Sequence, residues 1–375
     1  MKREILIIPS RYPTYYQEHN YIFVSEQAAA LASYSKVNVI GCIPVSLKFI
    51  LKKGLRFLGR TSYMSGNLHV NLFLVPALPF CKRWNEGIRL LINKLLFKSY
   101  YKTNKCRVVH FHTYLSARLG PWIKKKYNIP YIVTEHSSTF YNNSISKYDE
   151  DISKSVFISS SLNIAVSKTL SDVLSEKFGR PFVTISNMVD TSFFTPQVKK
   201  WINKESHFIT IGNLVKVKRH ELLIRAFHAS FFKSKTTLTI VGSGDERDNL
   251  LKLISSLEME DQIFLVGYKT KTQIRDLLNE TKYFVLVSKN ETFGVVVIEA
   301  LSMGLPILLT DFGGVSLEVS SYDGCVIVKD SIEDLSLGFN QILQFDKNES
   351  LRKIAIDNYS SEIICAKLLK IYDHF

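Results

Sequence analysis

The 375-residue chain is 46% hydrophobic and 22% charged, which excludes an intrinsically disordered protein and allows two domains of ordinary size. Its five scattered cysteines include no CxxC pair, which argues against a disulfide framework or a zinc site and favours a reduced compartment, the cytoplasm. Residues 1–190 hold 26 Lys and Arg against 11 Asp and Glu, a net charge of +15, whereas residues 191–375 have a net charge of −1. The basic half predicts an anionic partner: a membrane surface, a nucleic acid or a phosphorylated molecule.

Strands and amphipathic helices alternate through the first half. The apolar run Ile5–Ile8 is shorter than the ~7–15 residues of a signal peptide and predicts a buried first strand. Buried apolar strands that alternate with helices indicate a parallel sheet covered on both faces. The predicted strands are Glu4–Pro9, Lys36–Ile43, Leu68–Val75, Val108–Phe111, Tyr131–Thr134 and Leu162–Val166, and the predicted helices include Phe23–Ser33, Ile88–Tyr101 and Leu115–Tyr127.

The stretch Leu47–Arg60 mixes cations with large apolar side chains. This pattern predicts either a membrane-surface helix, assisted by Ile88–Tyr101, or an ordinary helix packed on the sheet. No apolar run reaches the ~18 residues of a membrane-spanning helix. We therefore expect a cytoplasmic protein that binds peripherally to the inner face of the membrane.

The second half repeats the alternation of strands and helices, which predicts a second parallel sheet. The most polar stretch between the halves, 190–205, is the predicted linker. A last helix is predicted over Ser360–Phe375. The predicted strands of this half are His207–Ile211, Thr237–Val241, Gln262–Val266, Tyr283–Val287, Pro306–Thr310 and Gly324–Val328.

Residues 290–314 carry the most informative motif. Glu291 and Glu299 are eight positions apart, with Gly294 between them. A helix that starts near Gly294 places both carboxylates near its N-terminus, where free backbone N–H groups favour a phosphate. Such a site would hold a diphosphate through the N–H groups and sugar hydroxyls through the carboxylates. The structural alternative is an amphipathic helix with solvated glutamates.

Glycine turns follow two of the predicted strands in this half. Gly212 begins a turn that contains Lys216 and Lys218, and Gly242 and Gly244 follow the next strand. Turns after parallel strands lie at the carboxyl edge of the sheet, where ligands bind, and lysines there can neutralise a diphosphate. A solvated basic turn and a purely structural tight turn remain the alternatives.

These motifs resemble those of retaining glycosyltransferases of family four, which have the GT-B fold. The resemblance implies two Rossmann-like domains that face each other across a cleft, with a terminal helix that crosses back onto the first domain. The domain boundaries that we predict are 1–189 for the acceptor-side domain, 190–205 for the linker, 206–358 for the donor-binding domain and 359–375 for the terminal helix.

The resemblance also implies roles for individual residues. Glu291 would bind hydroxyls of the donor sugar, Glu299 would bind the ribose, and His136, within Thr134-Glu-His, would border the reacting centre. Lys218 matches the family lysine, but Asn213 stands where the family has arginine, so Lys216 could substitute for it. The remaining donor-binding candidates are Gly212, Gly242, Gly244, Tyr268, Phe293, Gly294 and Val295.

Two further patterns could suggest a metal but are interpreted otherwise. His110 and His112 lie on one strand face without an evident third ligand, which indicates packing or cleft-lining residues. Asp149-Glu-Asp151 follows polar residues and is predicted to be a solvated loop. No metal cofactor is expected, because a helix dipole and lysines would supply the positive charge.

The function implied is transfer of a sugar from a nucleotide-sugar donor to a hydroxyl of a lipid-linked or oligosaccharide acceptor, with retention, in bacterial surface polysaccharide synthesis. Two alternatives remain open. A nucleic-acid-binding protein would use the basic half but lacks the aromatic and basic surface motif of such modules, so no nucleic-acid partner is expected. A Rossmann-type oxidoreductase would need a complete GxGxxG after its first strand, which is absent.

Overall fold

The computed structural model describes residues 4–14, 21–141, 145–197, 207–230 and 236–375, except for the side chains of Lys53 and Phe57. Contacts divide the chain into two compact units. Unit 1 comprises Met1–Met188 and Ile364–Phe375, and unit 2 comprises Val189–Ile363. The two predicted α/β domains are therefore confirmed, and each is described separately below.

Unit 1 is built on an eight-stranded sheet with the order β3-β4-β2-β1-β5-β6-β7-β8. All neighbours are parallel except β3 and β4. Its elements are β1 (Glu4–Pro9), α1 (Ile22–Ala32), β2 (Lys36–Ser46), α2 (Leu47–Lys53), β3 (Gly59–Ser65), β4 (Leu68–Ala77), α3 (Lys82–Thr103), β5 (Val109–His112), α4 (Tyr114–Ala117), α5 (Gly120–Tyr127), β6 (Tyr131–Glu135), α6 (Lys147–Ser159), β7 (Leu162–Ala165), α7 (Lys168–Phe178) and β8 (Val183–Thr184).

The six strands predicted in this half are confirmed, but the prediction of a single helix over Leu47–Arg60 is wrong. Helix α2 ends at Gly54, whose φ of 93° suits glycine and not other residues. Arg60 already belongs to β3, which pairs antiparallel with β4 in register Arg60↔Phe73. Hairpin pairing with the next strand thus overrides the local helical pattern.

The helix predicted over Leu115–Tyr127 forms two helices, α4 and α5. Pro121 occupies the first turn of α5, a position that favours a helix start because proline has no N–H to satisfy there. Gly120 packs against the ring of Tyr131, so closely that a Cβ would lie 2.6 Å from a ring carbon.

Unit 2 contains a wholly parallel six-stranded sheet with the order β11-β10-β9-β12-β13-β14. The six predicted strands of this half are confirmed. Its elements are β9 (His207–Ile211), α8 (His220–Ala229), β10 (Thr237–Val241), α9 (Arg247–Ser256), β11 (Ile263–Gly267), α10 (Lys271–Glu280), β12 (Tyr283–Leu286), α11 (Val295–Ser302), β13 (Ile307–Thr310), α12 (Val315–Val319), β14 (Cys325–Val328), α13 (Ile332–Ile342) and α14 (Glu349–Tyr359).

The terminal helix α15 (Ser361–Tyr372) returns to unit 1, as predicted. Its apolar residues Ile364 and Leu368 are buried in the unit 1 core, and the Tyr372 hydroxyl lies 2.6 Å from His110 Nδ1. A sequence-remote segment therefore completes the core beneath β5.

The predicted linker over 190–205 is described only in part. Its first residues pack on unit 2, where the Phe194 carbonyl accepts hydrogen bonds from Ser302 Oγ at 2.7 Å and from Arg352 Nη1 at 2.9 Å. Residues 198–206 lie outside the described residues, so the linker and domain boundaries stay predictions. Within the described part of the chain, no helix is long and apolar enough to cross a membrane.

Candidate active site

Two glycine turns interlock at the carboxyl edge of the unit 2 sheet. A Cβ on Gly242 would lie 1.9 Å from the Gly212 carbonyl oxygen, and one on Gly244 would lie 2.3 Å from that of Leu214. The Leu214 N–H also donates to the Ser243 carbonyl at 2.9 Å. These glycines are therefore required so that the turns after β9 and β10 can pack against each other, and any contact with a donor is additional to that role.

The structure brings together two of the predicted site residues, Lys218 and Glu291. Lys218 lies in the 3-10 turn Lys216–Lys218, and its Nζ donates to Glu291 Oε2, which also accepts from Ser288 Oγ at 3.3 Å. The two side chains are 18% and 20% exposed, so the ion pair is largely shielded but reachable. The Lys289 N–H donates to the Val217 carbonyl at 2.8 Å and fixes the two loops relative to each other.

Helix α11 begins beside this ion pair. Gly294 is its N-cap residue, with no side-chain cap, which confirms the predicted helix start. Val295 and Glu299 lie in the first two turns and are half-buried. The loop before the helix is held by the next one, since the Val315 N–H donates to the Phe293 carbonyl at 3.1 Å. The first N–H groups of α11 and the Lys218–Glu291 pair thus flank one loop.

The Phe293 side chain belongs to the core. Its ring is 1% exposed and packs against Tyr359, with 5.6 Å between ring centroids. Only its backbone remains available to a donor, in keeping with the role that the resemblance gave it. Its role in binding stays a prediction.

Lys216 and Lys218 contact different surroundings. Residues two apart in a 3-10 turn do not project from the same side of it. Lys216 is exposed and lines a cavity of about 560 Å³, shared with Arg219, His220, Glu246 and Asp330. Whether Lys216 replaces the cation missing at Asn213, which is also exposed, stays a prediction, as does the contact of the 48% exposed Tyr268 with a base.

In unit 1, His136 follows β6 directly and forms a pair with His112 at the end of β5. His136 Nε2 lies 3.0 Å from His112 Nδ1, and both residues are buried. Burial and the neighbouring His110 lower the pKa of His136 to about 3, so the ring is neutral at physiological pH. His110 itself is a packing residue, bonded to Tyr372 and to Thr134 Oγ1 at 2.7 Å.

When two neutral imidazole rings share one hydrogen bond, the hydrogen-bonding roles of their two outer nitrogens are fixed. Whichever ring donates, one of the outer atoms is a donor and the other an acceptor. These atoms, His112 Nε2 and His136 Nδ1, are buried and have no hydrogen-bond partner in the part of the chain that is described. Among the described residues, the pair therefore holds one unpartnered donor and one unpartnered acceptor.

Sequence reasoning missed Glu135, the fully buried carboxylate next to His136. Its two oxygens accept N–H groups from Tyr114, His136 and Ser137, each at 2.9 Å. Glu135 thereby ties the loop after β5 to the loop after β6. The sequence signal available was a charged residue at the end of an apolar strand. The role of Glu135 could not be predicted from it, because only the fold brings the two loops together.

Glu135 predicts a pH dependence of stability. Burial raises its pKa from 4.5 to about 7, although the three N–H groups lower it. Because the folded state then binds the proton more tightly than the unfolded state, the free energy of unfolding falls as pH rises from about 4.5 to about 7, by roughly 1.4 kcal/mol per unit of pKa shift. Denaturant unfolding of Glu135→Gln should show a flatter profile in this window.

The matched control for this measurement is Glu176→Gln, on an exposed position of α7. Its profile should follow that of the wild type. An equally steep decline in Glu135→Gln would contradict the assignment of this pH dependence to Glu135.

The prediction of a solvated loop at Asp149–Asp151 is wrong. These residues form the first turn of α6, and Asp149 is 3% exposed. Its carboxylate lies 2.5 Å from Lys82 Nζ and 2.6 Å from Ser146 Oγ. A carboxylate at a helix N-terminus is favoured by the backbone N–H groups there. The polar residues before Asp149 did not predict that a helix begins at this point. Among the described residues, no cluster of three or more His, Cys, Asp or Glu is placed to hold a metal ion.

Comparison with known proteins agrees with this geometry. The family model described as Glycosyl transferases group 1 matches residues 193–359, and the model described as Glycosyltransferase Family 4 matches residues 57–193. The two α/β units have the GT-B fold. The chain belongs to the group 1 glycosyltransferases of family four.

Individual proteins of known sequence or structure share low sequence identity with this chain. A glycosyltransferase of Methanocaldococcus jannaschii is 26% identical over 297 residues, which cover 76% of this chain and 78% of that protein. The N-acetylgalactosamine-N,N'-diacetylbacillosaminyl-diphospho-undecaprenol 4-α-N-acetylgalactosaminyltransferase of Campylobacter jejuni is 30% identical over 146 residues, 38% of this chain and 39% of that one. The solved structure of Anabaena HepE in complex with UDP has a TM-score of 0.77 at 14% identity and covers both chains completely.

Proposed function

We propose that this glycosyltransferase moves a sugar from a nucleotide-sugar donor to a hydroxyl of a lipid-linked or oligosaccharide acceptor, with retention at the anomeric carbon, in bacterial surface polysaccharide synthesis. The observation that carries the proposal is the Lys218–Glu291 ion pair beside the N-terminus of α11. The UDP bound by Anabaena HepE and the diphospho-undecaprenol in the name of the Campylobacter jejuni relative support the two substrate classes.

The ion pair has a chemical role in this proposal. When the donor binds, Lys218 exchanges the Glu291 carboxylate for a phosphate oxygen, and Glu291 is released to accept hydrogen bonds from hydroxyls of the sugar. The leaving diphosphate is then stabilised by Lys218 and by the N–H groups at Phe293, Gly294 and Val295. Glu299 binds the ribose. We propose that this positive charge suffices without a metal ion.

The donor class is tested by thermal unfolding with UDP, GDP, NAD and single-stranded DNA. We expect UDP or GDP to raise the melting temperature, because a ligand that binds only the folded state stabilises it. Lys218→Gln should lose this effect, whereas Lys252→Gln, an exposed lysine on α9, should keep it. A shift with NAD alone would favour an oxidoreductase, and a shift with DNA alone would favour a nucleic-acid-binding protein.

The stereochemistry is tested separately. The anomeric coupling constant of the first-formed product, measured by proton NMR during turnover, distinguishes retention from inversion. We expect the configuration of the donor to be kept. An inverted product would contradict a retaining mechanism without affecting the assignment of the donor site.

We also propose that unit 1 binds an anionic membrane surface. Leu51 and Leu55, on α2 and the turn that follows it, are 86% and 71% exposed beside the exposed cations Lys48 and Lys52. Exposed apolar side chains among cations are typical of a helix that lies on a membrane interface. The association supports an acceptor that is presented at the membrane.

Changing Lys48, Lys52, Lys53 and Arg56 together to Gln should reduce binding to anionic liposomes. Each charge contributes ~1 kcal/mol near an anionic surface, so the loss should be large and the wild-type binding sensitive to salt. Flotation with anionic and neutral vesicles at low and high salt measures it.

A control variant removes four charges elsewhere in unit 1, by changing Lys102, Lys105, Arg107 and Lys125, which are all exposed, to Gln. It should bind more tightly than the first variant. Equal binding of the wild type to neutral and anionic vesicles, or no binding to either, would contradict the membrane proposal.

A further inference from the structure

Two arginines of unit 1 compete for one carboxylate oxygen. Arg89 Nη2, on α3, lies 2.8 Å from Glu86 Oε2, and Arg118 Nη1, just after α4, lies 3.6 Å from the same atom. All three atoms are buried, and none makes a contact with hydrogen-bonding geometry among the described residues. The arginine side chains are 5% and 16% exposed, and that of Glu86 is 13% exposed. The carboxylate thus neutralises no more than one of the two guanidinium groups.

A third arginine adds to the positive charge. Burial lowers the pKa of Arg89, Glu86 raises it, and Arg118 and the exposed Arg11, which follows β1, lower it further. Of the other carboxylates nearby, Asp149 is paired with Lys82, and Glu135 accepts three backbone N–H groups. Buried charges in proteins are normally paired, so the buried guanidinium groups of Arg89 and Arg118 lack a second counter-ion beside Glu86 among the described residues.

The cluster borders the pair of His112 and His136. The Arg11 guanidinium carbon lies 5.7 Å from the centroid of the Tyr21 ring, which in turn lies 6.5 Å from the His136 ring. Arg11 and His136 follow β1 and β6, so both stand at the carboxyl edge of the same parallel sheet, where ligands bind. The Tyr21 ring therefore lies between Arg11 and His136 at this edge.

We propose that Arg11, Arg89 and Arg118 form a binding site for the phosphate or carboxylate group of the acceptor. Guanidinium groups present paired N–H donors that match these anions, and the site would exchange the two contacts with Glu86 Oε2 for charge-assisted hydrogen bonds to the anion. That the anion belongs to an acceptor rests on the proposed function. The existence of the anion site does not.

The test is calorimetric titration with inorganic pyrophosphate, in a Lys218→Gln background that removes the cation on the donor side. In this background we expect one remaining site. Arg118→Gln should weaken binding by about tenfold or more, because it removes charge-assisted hydrogen bonds. Glu86→Gln should strengthen binding, because it removes the competing carboxylate. The control Arg107→Gln removes the same charge from the opposite edge of the sheet, before β5, and should change nothing.

Three further probes identify the source of the anion. Glucose 6-phosphate should bind and glucose should not, if a phosphate on a soluble molecule is recognised. Should Arg118→Gln reduce binding to phosphatidylglycerol vesicles and leave both soluble phosphates unaffected, the arginines would belong to the membrane surface and the proposed acceptor site would be overturned.

Arg118→Gln and Glu86→Gln should change the pyrophosphate affinity in opposite directions, so the proposal can be tested with either variant. Should Arg118→Gln fail to fold, the affinity of Glu86→Gln decides. Unchanged pyrophosphate affinity in Glu86→Gln and in any folded Arg118→Gln would show a purely structural ion cluster. Donor hydrolysis by the wild type tests the proposed function independently, since the titration contains no donor.

Discussion

Glu291→Gln should reduce sugar transfer by about a hundredfold or more while the protein stays folded. Its Oε2 holds Lys218 and Ser288, and the same oxygen would accept hydroxyls of the donor sugar. The amide that replaces it is nearly isosteric but uncharged, so each charge-assisted hydrogen bond, worth ~1.5–3 kcal/mol, is weakened. The initial rate of transfer at saturating donor measures the effect, and thermal unfolding verifies the fold.

Glu299→Gln is the matched carboxylate change for this experiment. Because Glu299 lies within α11 and is expected to bind the ribose, its loss should mainly weaken nucleotide binding, seen as a higher KM for the donor. Glu291→Gln should therefore mainly lower turnover, and Glu299→Gln should mainly lower the affinity for the donor. Full activity of Glu291→Gln would remove Glu291 from the site.

His136→Ala should lower kcat by about a hundredfold and change donor affinity little. The residue belongs to unit 1, whereas the residues expected to bind the nucleotide belong to unit 2. Steady-state kinetics, together with direct titration of UDP or GDP, separate the two effects.

The pH profile adds a second measurement for His136. Because the pKa of His136 is lowered to about 3, its ring is neutral from about pH 5 upward. Between pH 5 and 8, the pH profile of kcat should therefore have the same shape in the wild type and in His136→Ala. His228→Ala, an exposed histidine on α8, is the control and should leave kcat unchanged. If His136→Ala behaves like this control, His136 is structural.

The regular elements followed from local patterns in the chain. Apolar runs such as Ile5–Ile8 predicted the strands, because a strand in a parallel sheet is buried on both faces and leaves no polar alternation. The start of α11 at Gly294 was equally local, since a glycine between a loop and an apolar stretch is a helix boundary signal. The motif at Glu291 predicted a nucleotide-sugar site, and that assignment stays a prediction.

Partners remote in sequence decided the rest. Asp149 is buried beside Lys82, which lies 67 positions away in sequence. The ion pair of Lys218 and Glu291 joins residues 73 positions apart.

The local sequence thus determined most of the strands and helices, through hydrophobic period and turn residues. Only the tertiary structure decided which charges meet. Glu135 joins two loops, and Arg89 and Arg118 share Glu86, because parallel strands bring their carboxyl ends to one edge whatever their separation along the chain. An electrostatic interaction depends on the distance between the charges in space, and this distance cannot be derived from a short segment of sequence.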